Sequence, residues 1–194
     1  IADDEGSDLE FSFLKDSLFH TSSLTTTEGR AFCPTITSFD IFRLLDPTSL
    51  TGWPNISKPI VLWGKTIRNL SICFKGGKIV EYSSSPQSEA LMDLYLSQDP
   101  LAGRASMVTI TELSSPLFDE DLTPITEYDR MRTTSITVGG PKGEAVDDGE
   151  ESNTIDCLLS LSLPFGRDSS VITALDDKGN EYTIYSGGWF IEDD

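Results

Sequence analysis

Histidine is nearly absent from this chain: His20 is the only one in 194 residues. It follows Phe19 in a segment rich in Ser and Thr, which reads as a surface or loop position, and a nucleophilic cysteine without an imidazole beside it lacks its base. Cysteine is scarce as well. Cys33, Cys73 and Cys157 are odd in number and show no Cys-x-x-Cys spacing, which excludes a zinc knuckle and a disulfide framework. Cys73 and Cys157 lie among apolar residues, as reduced core thiols do, and this indicates a cytoplasmic location. Basic residues are few: 14 Lys and Arg stand against 32 Asp and Glu, for a net charge of −18. Nucleic acid is therefore excluded as a partner, because phosphate binding needs cations that displace counterions. No apolar run approaches the ~20 residues that cross a bilayer, and no signal-peptide pattern is present, so no membrane is expected.

What remains is mostly β pattern. A chain of this length buries a core without staples, and residues 1–194 are expected to form a single domain. Strands are expected at 8–14, 60–63, 67–74 and 78–82, the last two joined through Gly76-Gly77, a good hairpin signal. Further strands fit Val108 to Leu113, 134–138, 155–163 and 170–175, followed by a hairpin through 176–180 into 181–185. One helix begins after Ser85, with Pro86 in its first turn and Glu89 near its positive end. Leu91, Leu94 and Tyr95 form its expected apolar stripe. The stretch 139–153 carries Glu144, Asp147, Asp148, Glu150 and Glu151 among glycines, in a spacing that does not follow a calcium-binding loop. It reads as a mobile acidic loop. The fold class is α+β, predominantly β: a twisted antiparallel or mixed sheet with about one or two helices.

Six segments, taken in order, carry a resemblance. They are Gly6-Ser7-Asp8-Leu9, Glu28-Gly29-Arg30-Ala31-Phe32, Lys75-Gly76-Gly77-Lys78-Ile79-Val80-Glu81, Leu101-Ala102-Gly103-Arg104-Ala105-Ser106-Met107-Val108, Ser115-Pro116-Leu117-Phe118-Asp119-Glu120, and Asn153-Thr154-Ile155-Asp156 with the hairpin to Ser186-Gly187-Gly188-Trp189. Together they resemble the C-terminal domain of the thermophilic-type metal aminopeptidases. Nothing corresponds to that family's N-terminal α/β domain, and an initial Ile is consistent with a trimmed chain. The resemblance implies metal-ligand positions that this chain has changed. Arg30 and Met107 stand where the family has glutamates, and Thr154 where it has a histidine. The family's His after Phe118-Asp119-Glu120 meets Leu122, Pro124 and Ile125, while Asp156 is retained. A thioether is a soft neutral ligand and does not replace a carboxylate on a hard or borderline divalent ion.

The resemblance with its losses implies no metal, no cofactor and no enzyme activity. It implies a peptide-binding protein whose degenerate cleft contains Arg30, Phe32, Met107, Thr154 and Asp156. A cation at position 30 attracts a carboxylate or pairs with Asp156 across the abandoned site. The expected partner is a peptide, such as a precursor peptide held for modifying enzymes in peptide natural-product biosynthesis, and strand addition to a sheet edge is the available mode. Two alternatives stay open. One is a regulatory or assembly subunit that binds a folded protein, or itself as a homodimer; the other is a hydrolase with altered, metal-independent chemistry.

Overall fold

The computed structural model describes residues 1–15, 17–21, 24–32, 40–56, 58–118, 133–140, 155–166, 168–176 and 178–191. In chain order, the first described strands are β1 (Asp8–Glu10), β2 (His20–Thr21), β3 (Leu24–Thr25), β4 (Ala31–Phe32) and β5 (Asp40–Leu44). Next come β6 (Thr51–Trp53), β7 (Ile60–Leu62), β8 (Lys65–Ile67), β9 (Ser71–Lys75) and β10 (Lys78–Ser83). Helix α1 (Pro86–Gln98) precedes β11 (Ala105–Thr111), β12 (Ser135–Gly139), β13 (Ser160–Pro164), β14 (Val171–Leu175), β15 (Glu181–Ser186) and β16 (Trp189–Phe190). The fold is predominantly β, and every described strand pairing is antiparallel.

Two sheets form the body. One has the order β1-β6-β9-β10 and the other β13-β12-β11-β5-β2. Alternation along β11 and β12 puts Val108, Ile110, Ile136 and Val138 on one face, where they join Leu161 and Leu163 of β13 in the main core. Ile72 and Phe74 of β9, together with Leu45 and Leu50, complete that core. Burying each such side chain contributes about 1.5–3 kcal/mol, which is why the apolar half of each alternating strand decides which way it faces. The hairpin β9-β10 turns at Gly76-Gly77 as expected. Gly77 has φ 72°, and a Cβ there would lie 1.9 Å from the Pro47 carbonyl oxygen, so only glycine fits.

The helix forms where its cap predicts. The Ser85 hydroxyl accepts from the Ser88 N–H, Pro86 opens the first turn, and a Glu89 carboxylate oxygen accepts from the Ser84 N–H. Its buried face differs from the expected stripe: Ser88, Met92 and Tyr95 face the core, whereas Leu94 is exposed. Residues 88, 92 and 95 share a face at i, i+4 and i+7, and Leu94 lies off it. The Tyr95 hydroxyl donates to the Val138 carbonyl, 3.3 Å away, docking the helix on the end of β12.

Three further expectations are corrected. The strand expected over 8–14 ends at Glu10, although Phe13 still makes a single bridge to Leu45. The strand expected over 155–163 begins only at Ser160, because Cys157 turns its N–H to the Gly140 carbonyl instead of a ladder partner. Leu113 lies beyond the end of β11 and is exposed. Cys33, Ile125, Thr154 and the acidic stretch 141–153 lie outside the described residues.

Candidate functional site

A β-bulge sets the geometry around Met107. The register between β11 and β12 shifts between Ala105 and Met107, leaving Ser106 as the extra residue. Ser106 is nonetheless tied down: its hydroxyl donates to the Thr137 carbonyl at 3.2 Å, and its carbonyl accepts from Leu45 N–H at 2.9 Å. Such a bulge bends the strand and re-aims the side chain that follows. Met107 then lies opposite Thr137 on one side and Leu44 on the other. It is half-buried and packs with Leu14, Leu44 and Phe42, in a small cluster separate from the main core.

The face that Met107 shares is unusually polar for its burial. Cross-strand register puts Asp40, Phe42 and Leu44 of β5, Thr109 and Thr111 of β11, Ser135 and Thr137 of β12, and His20 of β2 on this side. Asp40, Thr109, Thr111, Ser135 and Thr137 are all buried. The Ser135 hydroxyl and the His20 Nε2 are buried with no hydrogen-bond partner among the described residues, a state that costs about 1–3 kcal/mol each. His20 is thus not the surface histidine expected; it is half-buried on β2 and stacked on Phe42, with ring centroids 5.7 Å apart. Sequence reasoning missed Thr109 and Ser135. The alternation Val108-Thr109-Ile110-Thr111 and Ser135-Ile136-Thr137-Val138 contained the signal, but polar positions in a strand read as solvent-facing.

Ser135 and His20 do not form a nucleophile and base. They lie in one cross-strand row, His20–Phe42–Thr109–Ser135, and so stand three strand spacings apart, about 14 Å. Proton transfer requires hydrogen-bond reach, which that separation denies.

The remaining cleft residues are dispersed. Asp156 is exposed, but its segment is held near Met107: the Cys157 N–H donates to the Gly140 carbonyl, and Gly140 abuts Ser106. Cys157 points into the core, which turns Asp156 outward. Arg30 and Phe32 are exposed on the hairpin of β3 and β4, whose strands pair Leu24 with Phe32 and Thr25 with Ala31. The Arg30 N–H donates to the Thr26 hydroxyl, and among the described residues no hydrogen bond or ion pair joins Arg30 to Asp156. A cation on the sheet itself is Arg43. Its guanidinium lies 4.4 Å from the Phe13 ring centroid and 5.2 Å from that of Phe19, and Nε donates to the Ser17 hydroxyl at 3.2 Å. Burial lowers its pKa, yet a guanidinium stays charged at any physiological pH.

These donors do not suit a divalent ion. The side chain at position 107 is a thioether in apolar packing, its immediate polar neighbours on the sheet, Thr137 and Thr109, are hydroxyls, and among the described residues no three His, Cys, Asp or Glu side chains converge. Hard and borderline ions select carboxylate and imidazole ligands.

The relatives place the fold. The chain is 25% identical over 187 residues to aminopeptidase 2 of Geobacillus stearothermophilus, covering 90% of this chain and 45% of that protein. It superimposes with a TM-score of 0.87 on wild-type AmpT from Thermus thermophilus, at 20% identity, covering 96% of this chain and 48% of that one. The chain thus spans a little under half the length of the relatives it matches. The likeness to AmpT establishes the fold, and the sequence from residue 1 to residue 190 matches the model of the thermophilic metalloproteases: this chain belongs to the M29 peptidase family.

Proposed function

We propose that this chain is a non-catalytic, peptide-binding member of its family, holding a precursor peptide for partner modifying enzymes in the cytoplasm. The observation that carries the reading is Met107. Where the resembled motif has a carboxylate, this chain presents a thioether packed against Leu14, Leu44 and Phe42. A two-ion hydrolase needs several anionic or imidazole ligands around its ions, and neither that cluster nor the hydroxyls beside it supply them.

Peptide binding is the function left to such a scaffold. Arg30, Phe32 and Asp156 are exposed and free to meet a ligand, and the antiparallel sheets offer edges for strand addition, which supports the reading. An acidic surface of net charge −18 steers basic segments toward it at low salt.

The test is purification from the source cells under gentle conditions, followed by mass spectrometry of what co-elutes and by metal analysis. A short gene-encoded peptide with no stoichiometric zinc, cobalt or iron supports the reading. About one transition ion per chain, with hydrolysis of aminoacyl reporters that a chelator abolishes and metal restores, refutes it.

A further inference from the structure

Arg43 is held from three sides. Its guanidinium lies in the angle between the rings of Phe13 and Phe19, 4.4 and 5.2 Å from their centroids, and those two rings meet edge to face at 73°. On the third side its Nε donates to the Ser17 hydroxyl at 3.2 Å. Ser17 is buried, and its hydroxyl donates in turn to the Leu14 carbonyl at 2.7 Å, which fixes the direction of the lone pairs it offers Arg43. Leu14 and Leu44 tie this arrangement to the cluster around Met107.

The far end of the side chain is left open. A guanidinium carries N–H donors on all three nitrogens, and among the described residues only Nε has an acceptor; no ion pair engages Nη1 or Nη2 there. In a chain with 32 Asp and Glu against 14 Lys and Arg, a half-buried guanidinium that pairs with no described acid calls for a reason. Covering two rings does not supply one, because any long cationic side chain stacks on aromatics. A planar fork oriented at Nε by a buried hydroxyl is instead the geometry that grips a carboxylate through two parallel hydrogen bonds. Burial, which lowers the pKa of Arg43, also weakens the competition from water.

We propose that Arg43 is the carboxylate anchor of the bound peptide, with Ser17 as its positioning residue. The proposal rests on the peptide-binding reading and names the group that the ligand must bring: a single carboxylate with an apolar or aromatic side chain beside it. The carboxylate meets Nη1 and Nη2, and the neighbouring side chain lies against Phe19, which is 42% exposed. A net charge of −18 repels a run of acids, so one carboxylate suits the site and an acidic tract does not. The C-terminus of a peptide and an Asp or Glu side chain both supply that group.

The test follows the Arg43 Nε–Hε resonance of the isotope-labelled protein during titration with N-acetyl-phenylalanine, with its carboxamide, and with N-acetyl-glutamyl-phenylalaninamide. The expected result is a saturable shift with at least one of the two acids and at least about tenfold weaker binding of the carboxamide. A response to the first acid marks a C-terminus as the ligand group, and a response to the glutamyl probe marks a side chain. Arg43→Lys keeps the charge without the fork and lowers affinity for the acids by about fivefold or more. The comparison of acid with carboxamide uses the unaltered protein, so it stands even where a variant fails to fold. No saturable shift with either acid, equal binding of acid and carboxamide, or undiminished affinity in Arg43→Lys overturns the proposal. Shifts confined to Arg30 and its hairpin overturn it while sparing the peptide-binding reading, which the metal analysis decides independently of Arg43.

Discussion

Replacing Met107 with glutamate asks directly whether a carboxylate at the position where the resembled motif carries one can serve a metal in this chain. In this structure the new carboxylate enters a cluster of Leu14, Leu44 and Phe42 on a half-buried position. Losing part of the apolar burial costs about 1 kcal/mol, and partial desolvation of the charge adds a similar amount, for a total of about 2 kcal/mol at neutral pH. For a chain of this size that lowers Tm by about 4–8 °C. The penalty depends on pH with a defined sign. Burial raises the folded-state pKa of the introduced acid above its unfolded value of about 4.3, so the charge part of the cost is absent below that pH, grows as pH rises through the folded-state value, and is complete above it, while the lost apolar burial costs about 1 kcal/mol at every pH. Met107→Gln keeps the polarity without the charge and separates the two contributions. Thermal melts in zinc or cobalt then decide the matter. A competent site at 100 times its Kd would return about 2.7 kcal/mol, more than the whole penalty. The expected shift with metal is none, because the neighbours Thr137, Thr109 and Ser135 offer hydroxyls. A metal-dependent rise in the Tm of Met107→Glu by several degrees would refute the reasoning.

Other outcomes follow from the same structure. Gly77→Ala forces φ 72° on a side chain whose Cβ meets the Pro47 carbonyl oxygen, and urea unfolding should show a loss of about 3 kcal/mol or more. Ser85→Ala removes the helix cap and should cost about 1 kcal/mol in the same assay. Burial pushes the Tyr185 hydroxyl, which donates to the Thr111 carbonyl, up to about 12. Its contribution to stability is therefore complete below pH 10 and lost as pH rises toward 12; alkaline unfolding of Tyr185→Phe should show a flatter decline over that window. Arg30 is exposed, so Arg30→Glu should weaken binding of an acidic ligand by no more than about 1 kcal/mol, and calorimetry should find the effect shrinking with salt.

Local signals in the sequence located most of the elements. The hairpin at Gly76-Gly77, the cap at Ser85 and the turn before Glu181 each rest on a few adjacent residues whose backbone requirements are nearly independent of context. β5 was not legible. Asp40-Ile41-Phe42-Arg43-Leu44 lacks clean alternation because the strand sits inside the sheet with material on both faces, so apolar residues occur in both registers. The helix stripe was half legible: Tyr95 was placed correctly, but Met92 and Ser88, rather than Leu94, face the core, since the choice among neighbouring faces depends on what the helix packs against.

The order of six short motifs determined the family, and the side chains at positions 30 and 107 determined that two expected carboxylates are absent, because identity is written residue by residue. Which of those positions share a site was decided by the tertiary structure. The bulge at Ser106 aims Met107 at Leu14 and Phe42, the tie from Cys157 to Gly140 brings Asp156's segment to the same end of the sheet, and Arg30 stays out on a hairpin of its own. The alternation put Ser135 and Thr109 on one face, but that this face is buried was likewise decided by the tertiary structure. Alternation tells that a strand has two faces; only long-range packing decides whether the polar face meets water.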